Sequence, residues 1–525
     1  MRRLATPSAL SALALAALHC SSGEFTADSA VSAGGTTAAS GAANAGTSTG
    51  GSSSGAAARG GSPGGGALGT AGAAEDGGNG GEGGQGVTPC DATKRPSEAA
   101  CVVNDDYAIF VAPMGKDTAV GTMTAPVKTF AKAVMLAGTT KIVIACDGTY
   151  DEQVMLTSTA KLYGGFSCPK SATPWTYETG KKATVAPSAR GLALSVASGA
   201  SRVVIEDFEF DAQAGVDPGE SSVAAFVNTS SNVTLTRVKL VAGKGVDGAN
   251  GSPSTVTFPM QSTLIGHDAA GDSGGPFNLV MCPAGGSTKG GVGGNGGAAA
   301  AGGGLGAPDL GMGKGGTQGA CLGTGSGQDG ANATGQTPAP GATKLGTINP
   351  TGWSGVPGTD GTPGTPGQGG GGGTGAATGG GGGGGGAGGC GGAGGTGGKA
   401  GGSSIALLVL NSTLTMTADE LVSSNAGKGG NGIAGQNGQK SVGSGGNKSS
   451  FGCGGGAGGQ GGTGGAGGGA AGGVSVGIAY VGATTPTPDS ATTITTGTAG
   501  AKGIGGVAGT NDGIAGVKQD VLLVP

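Results

Sequence analysis

The sequence predicts an all-β chain built as a solenoid, and three observations predict it. Strand-like runs recur at steps of roughly ten to twenty residues with almost no helix between them. A unit of two short strands is repeated. The repeats are separated by glycine-rich blocks, and Gly makes up 129 of 525 residues, against a usual share of about 7%. A unit of two strands cannot bury its own apolar face, so stacking unit on unit is the economical solution. A β-sandwich is the competing architecture.

The elements follow in order. Residues 1–20 read MRRLATPSALSALALAALHC. Arg2 and Arg3 precede an apolar run that is too short to span a bilayer, so this is an export signal. Residues 21–87 are Ser, Gly, Ala and Thr with few bulky groups. Such a composition cannot offset the entropy of ordering, and a disordered tether is expected. Residues 88–251 hold the first coils. "DYAIFVAP" (106–113), "KIVIAC" (141–146), "EQVML" (152–156) and "AKLYGGF" (160–166) read as strands, and "PVKTFAKAVMLA" (126–137) as a short helix. Strands "GLALSV", "RVVIEDFEF", "SSVAAFV" and "NVTLTRVKLV" follow up to residue 241.

The repeat is clearest between 221–251 and 403–432. Both run Ser-Ser, apolar strand, polar turn, a second strand, then Ala-Gly-Lys-Gly and Asn-Gly. A weaker third copy begins near 474 and occupies 474–525. If the copies are consecutive coils, 252–402 and 433–473 are glycine-rich insertions leaving one edge. Within them Gly recurs every third residue, as in "GVPGTDGTPGTPG" (355–367) and "GAGGQGGTGGAGG". Period three suits polyproline-II geometry. Packed polyglycine strands and a low-complexity coil both remain open, and the expectation leans to the coil.

Charge and cysteine content narrow the function classes. Charged residues are 11% and the net charge is -4. No Lys/Arg cluster offers a path for phosphates, so nucleic acid is not an expected partner. After Cys20, eight cysteines remain: Cys90, Cys101, Cys146, Cys168, Cys282, Cys321, Cys390 and Cys453. None has C-x-x-C spacing, which argues for disulfides in an exported protein rather than zinc or redox chemistry. Proximity alone predicts Cys90–Cys101, Cys146–Cys168, Cys282–Cys321 and Cys390–Cys453.

Candidate sites are few. Gly271-Asp272-Ser273-Gly274-Gly275-Pro276 resembles the nucleophile loop of chymotrypsin-like proteases. That chemistry needs an imidazole base and an acid to orient it. Only His267 lies outside the export signal, six residues before Ser273, with no room for the family's chain order. Ser273 is read as a loop serine, and no catalytic residue is assigned. "GMGKGG" (311–316) lacks the phosphate-loop frame, so no cofactor site is assigned. In "VVIEDFEFD" (203–211), Asp207, Glu209 and Asp211 alternate with Phe208 and Phe210. Outward-facing acids on one strand would hold Ca²⁺, or act on a polysaccharide with Arg202 and Arg237; the ordinary reading is a solvated strand face.

Three resemblances add to this. The first twenty residues resemble a bacterial lipoprotein signal, which implies lipidation of Cys20 and a membrane anchor. His19 stands where that family has Gly, Ala or Ser, and plain cleavage with release is the alternative. Residues 109–154, with Gly115-Lys116-Asp117, Gly121-Thr122, Ala125-Pro126 and Gly148-Thr149-Tyr150, together with "YGGF" (163–166), are similar to the opening of right-handed parallel β-helix proteins of the pectin-lyase-like, DUF1565 group. This implies a right-handed parallel β-helix with an N-terminal cap. The whole chain resembles the glycine-rich, PGRS-like envelope lipoproteins of myxobacteria. The reading is therefore a non-enzymatic structural or adhesive protein at the outer membrane or cell surface, whose partners are the membrane and polysaccharide or other envelope and matrix proteins. A polysaccharide-binding or polysaccharide-cleaving β-helix is the alternative. Labelled palmitate should be incorporated into the expressed chain, and Cys20→Ala should abolish that incorporation.

Overall fold

A computed structural model describes residues 90–168 and 174–525. The expected export signal, Cys20 and the expected tether at 21–87 lie outside the described residues. Three parallel sheets form the frame. The first stacks Ala108–Val111, Ile142–Cys146, Lys161–Ser167, Ser201–Glu206, Ser231–Thr236 and Leu414–Thr417. The second stacks Gly148–Tyr150, Ala183–Val185, Phe208–Asp211, Lys239–Val241, Glu420–Val422 and Thr493–Thr495. The third stacks Val154–Leu156, Leu194–Val196, Ser222–Asn228, Ser404–Leu410, Ser475–Val481 and Lys518–Leu523. From Ile142 to Val481 the chain visits the three in turn and moves up one strand per circuit. No sheet closes into a barrel, and the arrangement is consistent with a parallel β-helix.

Side-chain alternation explains the interior. Phe208 and Phe210 are fully buried while Glu209 and Asp211 between and after them are half-buried. Val203, Ile205, Val233, Leu235, Leu240, Leu407, Val409 and Leu421 extend the same core from coil to coil. The third sheet departs from alternation, for all seven residues of Ser404–Leu410 are buried. Its outer side carries Phe226, Ile405, Leu408 and Val476, and Ile348 of an inserted hairpin packs on them. A strand covered on both faces reads as a continuous apolar run.

Tight corners need left-handed residues. Thr236 pairs with Glu206 below and Thr417 above. The next residue in each strand, Asp207, Arg237 and Ala418, has φ between 53° and 58°. Side chains rarely adopt this region, and stacked corners hold them there.

Among the described residues one α-helix occurs, Phe130–Ala137. It starts four residues later than the periodicity suggests, because Val127 bridges to Val111 as an extension of the first coil. Thr129 caps it by accepting from Lys132 N. Asp117 accepts from Lys128 N and Thr129 N at 2.9 Å, and Glu152 from Phe130 N at 2.8 Å. Phe130 then packs against Tyr150 and Phe208.

The repeat copies lie on adjacent coils. Ser222–Asn228 pairs with Ser404–Leu410, the 231–236 strand with 414–417, and Lys239–Val241 with Glu420–Val422. The third copy pairs on the second in the same way at Ser475–Val481 and Thr493–Thr495.

The glycine-rich blocks are packed, not coil. Gly358, Gly361, Gly364 and Gly367 donate their N–H groups to the carbonyls of Gly398, Gly395, Gly392 and Gly389. Gly389, Gly392, Gly395 and Gly398 donate to Gly459, Gly462, Gly465 and Gly468. Those four donate in turn to Gln368, Thr365, Thr362 and Thr359, so three segments bond to one another in a closed triangle. Gly458, Gly461, Gly464 and Gly467 donate in a different direction, to Gly443, Gln439, Gln436 and Ile433. A three-residue turn makes no internal hydrogen bonds and presents each third residue to a different neighbour. The neighbours are so close that a Cβ on Gly464 would sit 2.0 Å from Ala393 O, and one on Gly459 2.0 Å from Ala331 O. Pro357, Pro363 and Pro366 each stand one residue before a donating glycine, where the missing N–H costs nothing.

Second-sheet strands run directly into this bundle. After Val241, the N–H groups of Ala242, Gly245, Gly248 and Gly251 donate to Val422, Asn425, Lys428 and Asn431. After Val422, those of Ser423, Ala426, Gly429 and Gly432 donate to Thr495, Thr498, Ala501 and Ile504. The repeated Asn and Asp residues bond between the segments. Asp247 Oδ1 accepts from Lys428 N, and Asn425 Oδ1 from Thr498 N.

Two disulfides follow sequence proximity, Cys90–Cys101 and Cys146–Cys168. The other two do not. Cys282 pairs with Cys390 and Cys321 with Cys453, in place of the expected Cys282–Cys321 and Cys390–Cys453. The first insertion folds back on itself and packs against the second, so the joined cysteines are 108 and 132 residues apart, Cys282–Cys390 within the first insertion and Cys321–Cys453 between the two.

Gly464→Ala should lower stability by about 2–3 kcal/mol through overpacking against fixed backbone, whereas Gln460→Ala, on an exposed side of the same segment, should stay within about 0.5 kcal/mol. Urea-unfolding midpoints of the two variants distinguish a packed bundle from a coil, in which both changes would be silent.

Candidate functional site

The acids of 203–211 do not share one open face. Asp207 follows Glu206 at the corner with φ 58°, and both residues are about 1% exposed. Arg237 is the corner residue of the next coil. Its Nε donates to Asp207 Oδ1 and its Nη2 to Asp207 Oδ2, each at 2.8 Å, and Nη2 also reaches Glu206. Tyr177 OH donates to Asp207 Oδ2 at 2.9 Å. Glu206 further accepts from Ser97 Oγ at 2.9 Å and pairs with Arg95 at 3.3 Å. Lys182 donates its ammonium to the Arg237 carbonyl.

Buried charges persist only when paired and hydrogen-bonded, and this cluster meets that condition. The hydrogen bonds that Arg237 donates to Asp207 lead in raising Arg237 above its usual value. Burial, reinforced by Asp207, pushes the Tyr177 hydroxyl to about 12, and burial lowers Lys182. The two glycines of "YGGF" make the space. A Cβ on Gly164 would lie 2.1 Å from Asp207 O, and one on Gly165 2.7 Å from the Tyr177 ring. Arrangement and chemistry are those of a clamp between coils and the N-terminal cap. Sequence reasoning missed Glu206, Tyr177 and Arg95; strand alternation carries no sign of a corner.

The remaining acids go elsewhere. Glu209 pairs with Lys239 at 2.9 Å. Asp211 Oδ1 is buried without a partner among the described residues, and burial, with Glu209 adding, raises its carboxyl to about 6. The three acids therefore do not converge as a cation cage. Among the described residues, the side chains close enough to share a cation are Cys146, Asp147 and Cys168, and the two sulfurs are already joined to each other.

Ser273 lies in an exposed turn, where its N–H and carbonyl exchange bonds with Ala270. Among the described residues neither its hydroxyl nor the His267 ring makes a hydrogen bond. Asp272 accepts from Gly380 N at 2.7 Å. Cβ atoms on Gly274 and Gly275 would meet Gly293 O at 1.9 Å and His267 O at 2.1 Å. These glycines serve close packing at the start of the bundle. Gly313 and Gly316 of "GMGKGG" likewise donate to Asp329 and Gly372.

Residues 113–167 match a family described as a protein of unknown function, DUF1565, which fits the pectin-lyase-like β-helix group. Several residues of the matched stretch have structural work in this chain. Asp117 and Glu152 hold the helix start, Gly115 lies against Val127 O at a distance of 2.1 Å for any Cβ, and Tyr150 OH donates to Val111 O and Cys146 O. No curated protein and no solved structure matches the chain.

Asp211 gives a pH signature. Its folded value of about 6 lies above the ordinary 3.8, so the folded state holds a proton that the unfolded chain has released. Stability therefore falls as pH rises from about 4 through 6, and Asp419, raised to about 6 by burial, acts with the same sign. Asp211→Asn should raise the melting temperature at pH 7, with the gain shrinking toward pH 4 in thermal melts across that range.

Proposed function

We propose that the protein is an exported, non-enzymatic structural or adhesive component of the cell surface, anchored by lipid at Cys20 and raised on the 21–87 tether. Its frame is a right-handed parallel β-helix of the pectin-lyase-like group, and its glycine-rich arms liken it to PGRS-like envelope lipoproteins. The observation that carries this reading is the unbroken hydrogen-bond register from the second sheet into the glycine bundle. It makes coil and insertions one stiff body whose surface is low in charge. Such a body suits display and repeated weak contact better than it suits moving loops around a reaction.

The polysaccharide-cleaving alternative draws on Asp207, Glu209, Asp211 and Arg237. Arg237 is engaged by Glu206 and Asp207, and Glu209 by Lys239, which weighs against a free acid–base pair there. Incubated with polygalacturonate and with alginate, with and without Ca²⁺, the purified chain should release no unsaturated uronides. Absorbance of such products would replace the structural reading with a lyase.

A further inference from the structure

One track of the glycine bundle is filled for only part of its length. The segment 495–506 of the third copy lies between the segments 423–441 and 455–473, and three sets of bonds hold it there. The N–H groups of Gly500, Gly503 and Gly506 donate to the carbonyls of Gly473, Ala470 and Gly467. The carbonyls of Thr498, Ala501 and Ile504 accept from Ala426, Gly429 and Gly432. Asn425 Oδ1 accepts from Thr498 N at 2.9 Å, and Asn431 Oδ1 from Ile504 N at 2.8 Å. Each asparagine works with the residue after it. Asn431 takes the N–H of Ile504 while Gly432 donates to the carbonyl of the same residue. This two-point clip recurs, with Asp247 and Gly248 on Lys428, Asn250 and Gly251 on Asn431, and Asn332 and Ala333 on Gln460.

After Gly506 the chain leaves the track through a turn in which Thr510 N donates to Val507 O. The walls of the track continue past it. With three residues per turn, every third residue points the same way. Gly464 and Gly461 therefore present carbonyls along the line of Gly473, Ala470 and Gly467. Gly435 and Gly438 present N–H groups along the line of Ala426, Gly429 and Gly432. Asn437 stands six residues after Asn431, as Asn431 stands six after Asn425. Among the described residues, neither those two carbonyls, nor those two N–H groups, nor the Asn437 side chain has a hydrogen-bond partner. Asn437 is exposed, and Gly435 and Gly461 are partly so. A row of unpaired backbone groups is a template for another chain.

The track also states what fits it. Cβ atoms on Gly500, Gly503 and Gly506 would lie 1.9, 2.0 and 2.4 Å from the carbonyl oxygens of Gly427, Gly430 and Ile433. An occupant must therefore have glycine at every third residue. Gln436 and Gln439 carry that wall onward, for their carbonyls accept from Gly464 and Gly461 as that of Ile433 accepts from Gly467. We propose that the vacant length of this track docks an extended segment of another polypeptide with glycine at every third residue. Its carbonyls accept from Gly435 and Gly438, and its N–H groups donate to Gly461 O, Gly464 O and Asn437 Oδ1. This is strand addition in a three-residue helix: backbone bonds give affinity, and glycine spacing gives specificity. The inference rests on the adhesive reading and gives it a partner class. So few bonds make each contact weak, which suits repeated display.

The full chain would be examined by saturation-transfer NMR with a synthetic peptide of the sequence at 495–506, TTGTAGAKGIGG, and with the same peptide carrying alanine at every glycine. The first should receive a transfer that saturates with peptide concentration, and the second should receive none. Asn437→Ala should weaken binding of the first peptide about fivefold and leave the urea-unfolding midpoint unchanged. Asn431→Ala, whose clip is filled, should lower that midpoint. Absence of transfer to the glycine peptide, equal transfer to both peptides, or unaltered affinity in Asn437→Ala would overturn the proposal. So would a dimer in sedimentation velocity that Asn437→Ala dissociates, because it assigns the edge to a second copy. Each of these results leaves the structural reading standing, since uronide release decides that separately.

Discussion

Backbone hydrogen bonds between extended glycine segments, made at a spacing that excludes a Cβ, are the constraint on which most of this chain depends. Each segment has no internal bonds, so its donors and acceptors are satisfied only by neighbours. A single such segment has no reason to persist in water. Glycine also loses more freedom on ordering than any other residue. The bundle is therefore collective, and the period of three is its address system. One residue in three donates one way, the next another way, and the remaining position carries Ala, Thr, Gln or Pro because its side has room.

Coil and bundle share that dependence. The parallel register of 239–241 on 420–422 on 493–495 continues past the last apolar residue with the same neighbours. The apolar core of the β frame sets the register, and the glycine strands inherit it. Cys282–Cys390 and Cys321–Cys453 close long loops within the same region, where restricting the unfolded chain has most effect. The insertions thus add a second, nearly side-chain-free layer whose order is borrowed from the first.

Polar chemistry is placed at seams. Glu206, Asp207 and Arg237 join successive coils at a corner and tie in Arg95 and Ser97 from the cap. The groove at Trp353 lies at another seam, between the outer third sheet and the hairpin of the insertion. One seam is saturated with partners and holds structure. The other is closed by apolar packing of Ile348 and Trp353 in one cluster with Phe226 and Leu408.

The sequence by itself determined the β frame, the stacking of the repeats and the place of the insertions, because strand alternation and repeat pairing are local or act between like segments. It also determined the two disulfides joining near neighbours. Only the tertiary structure decided that the glycine blocks pack, since whether a segment without internal bonds is ordered depends on partners far along the chain. The same reason governs Cys282 and Cys321, whose partners are brought by folding back rather than by proximity. Asp207 is buried because Arg237 of the next coil and Tyr177 close over it, partners that strand alternation does not reveal. Trp353 was silent as a sequence feature: its surroundings come from a hairpin, a coil and a glycine strand that only the fold brings together.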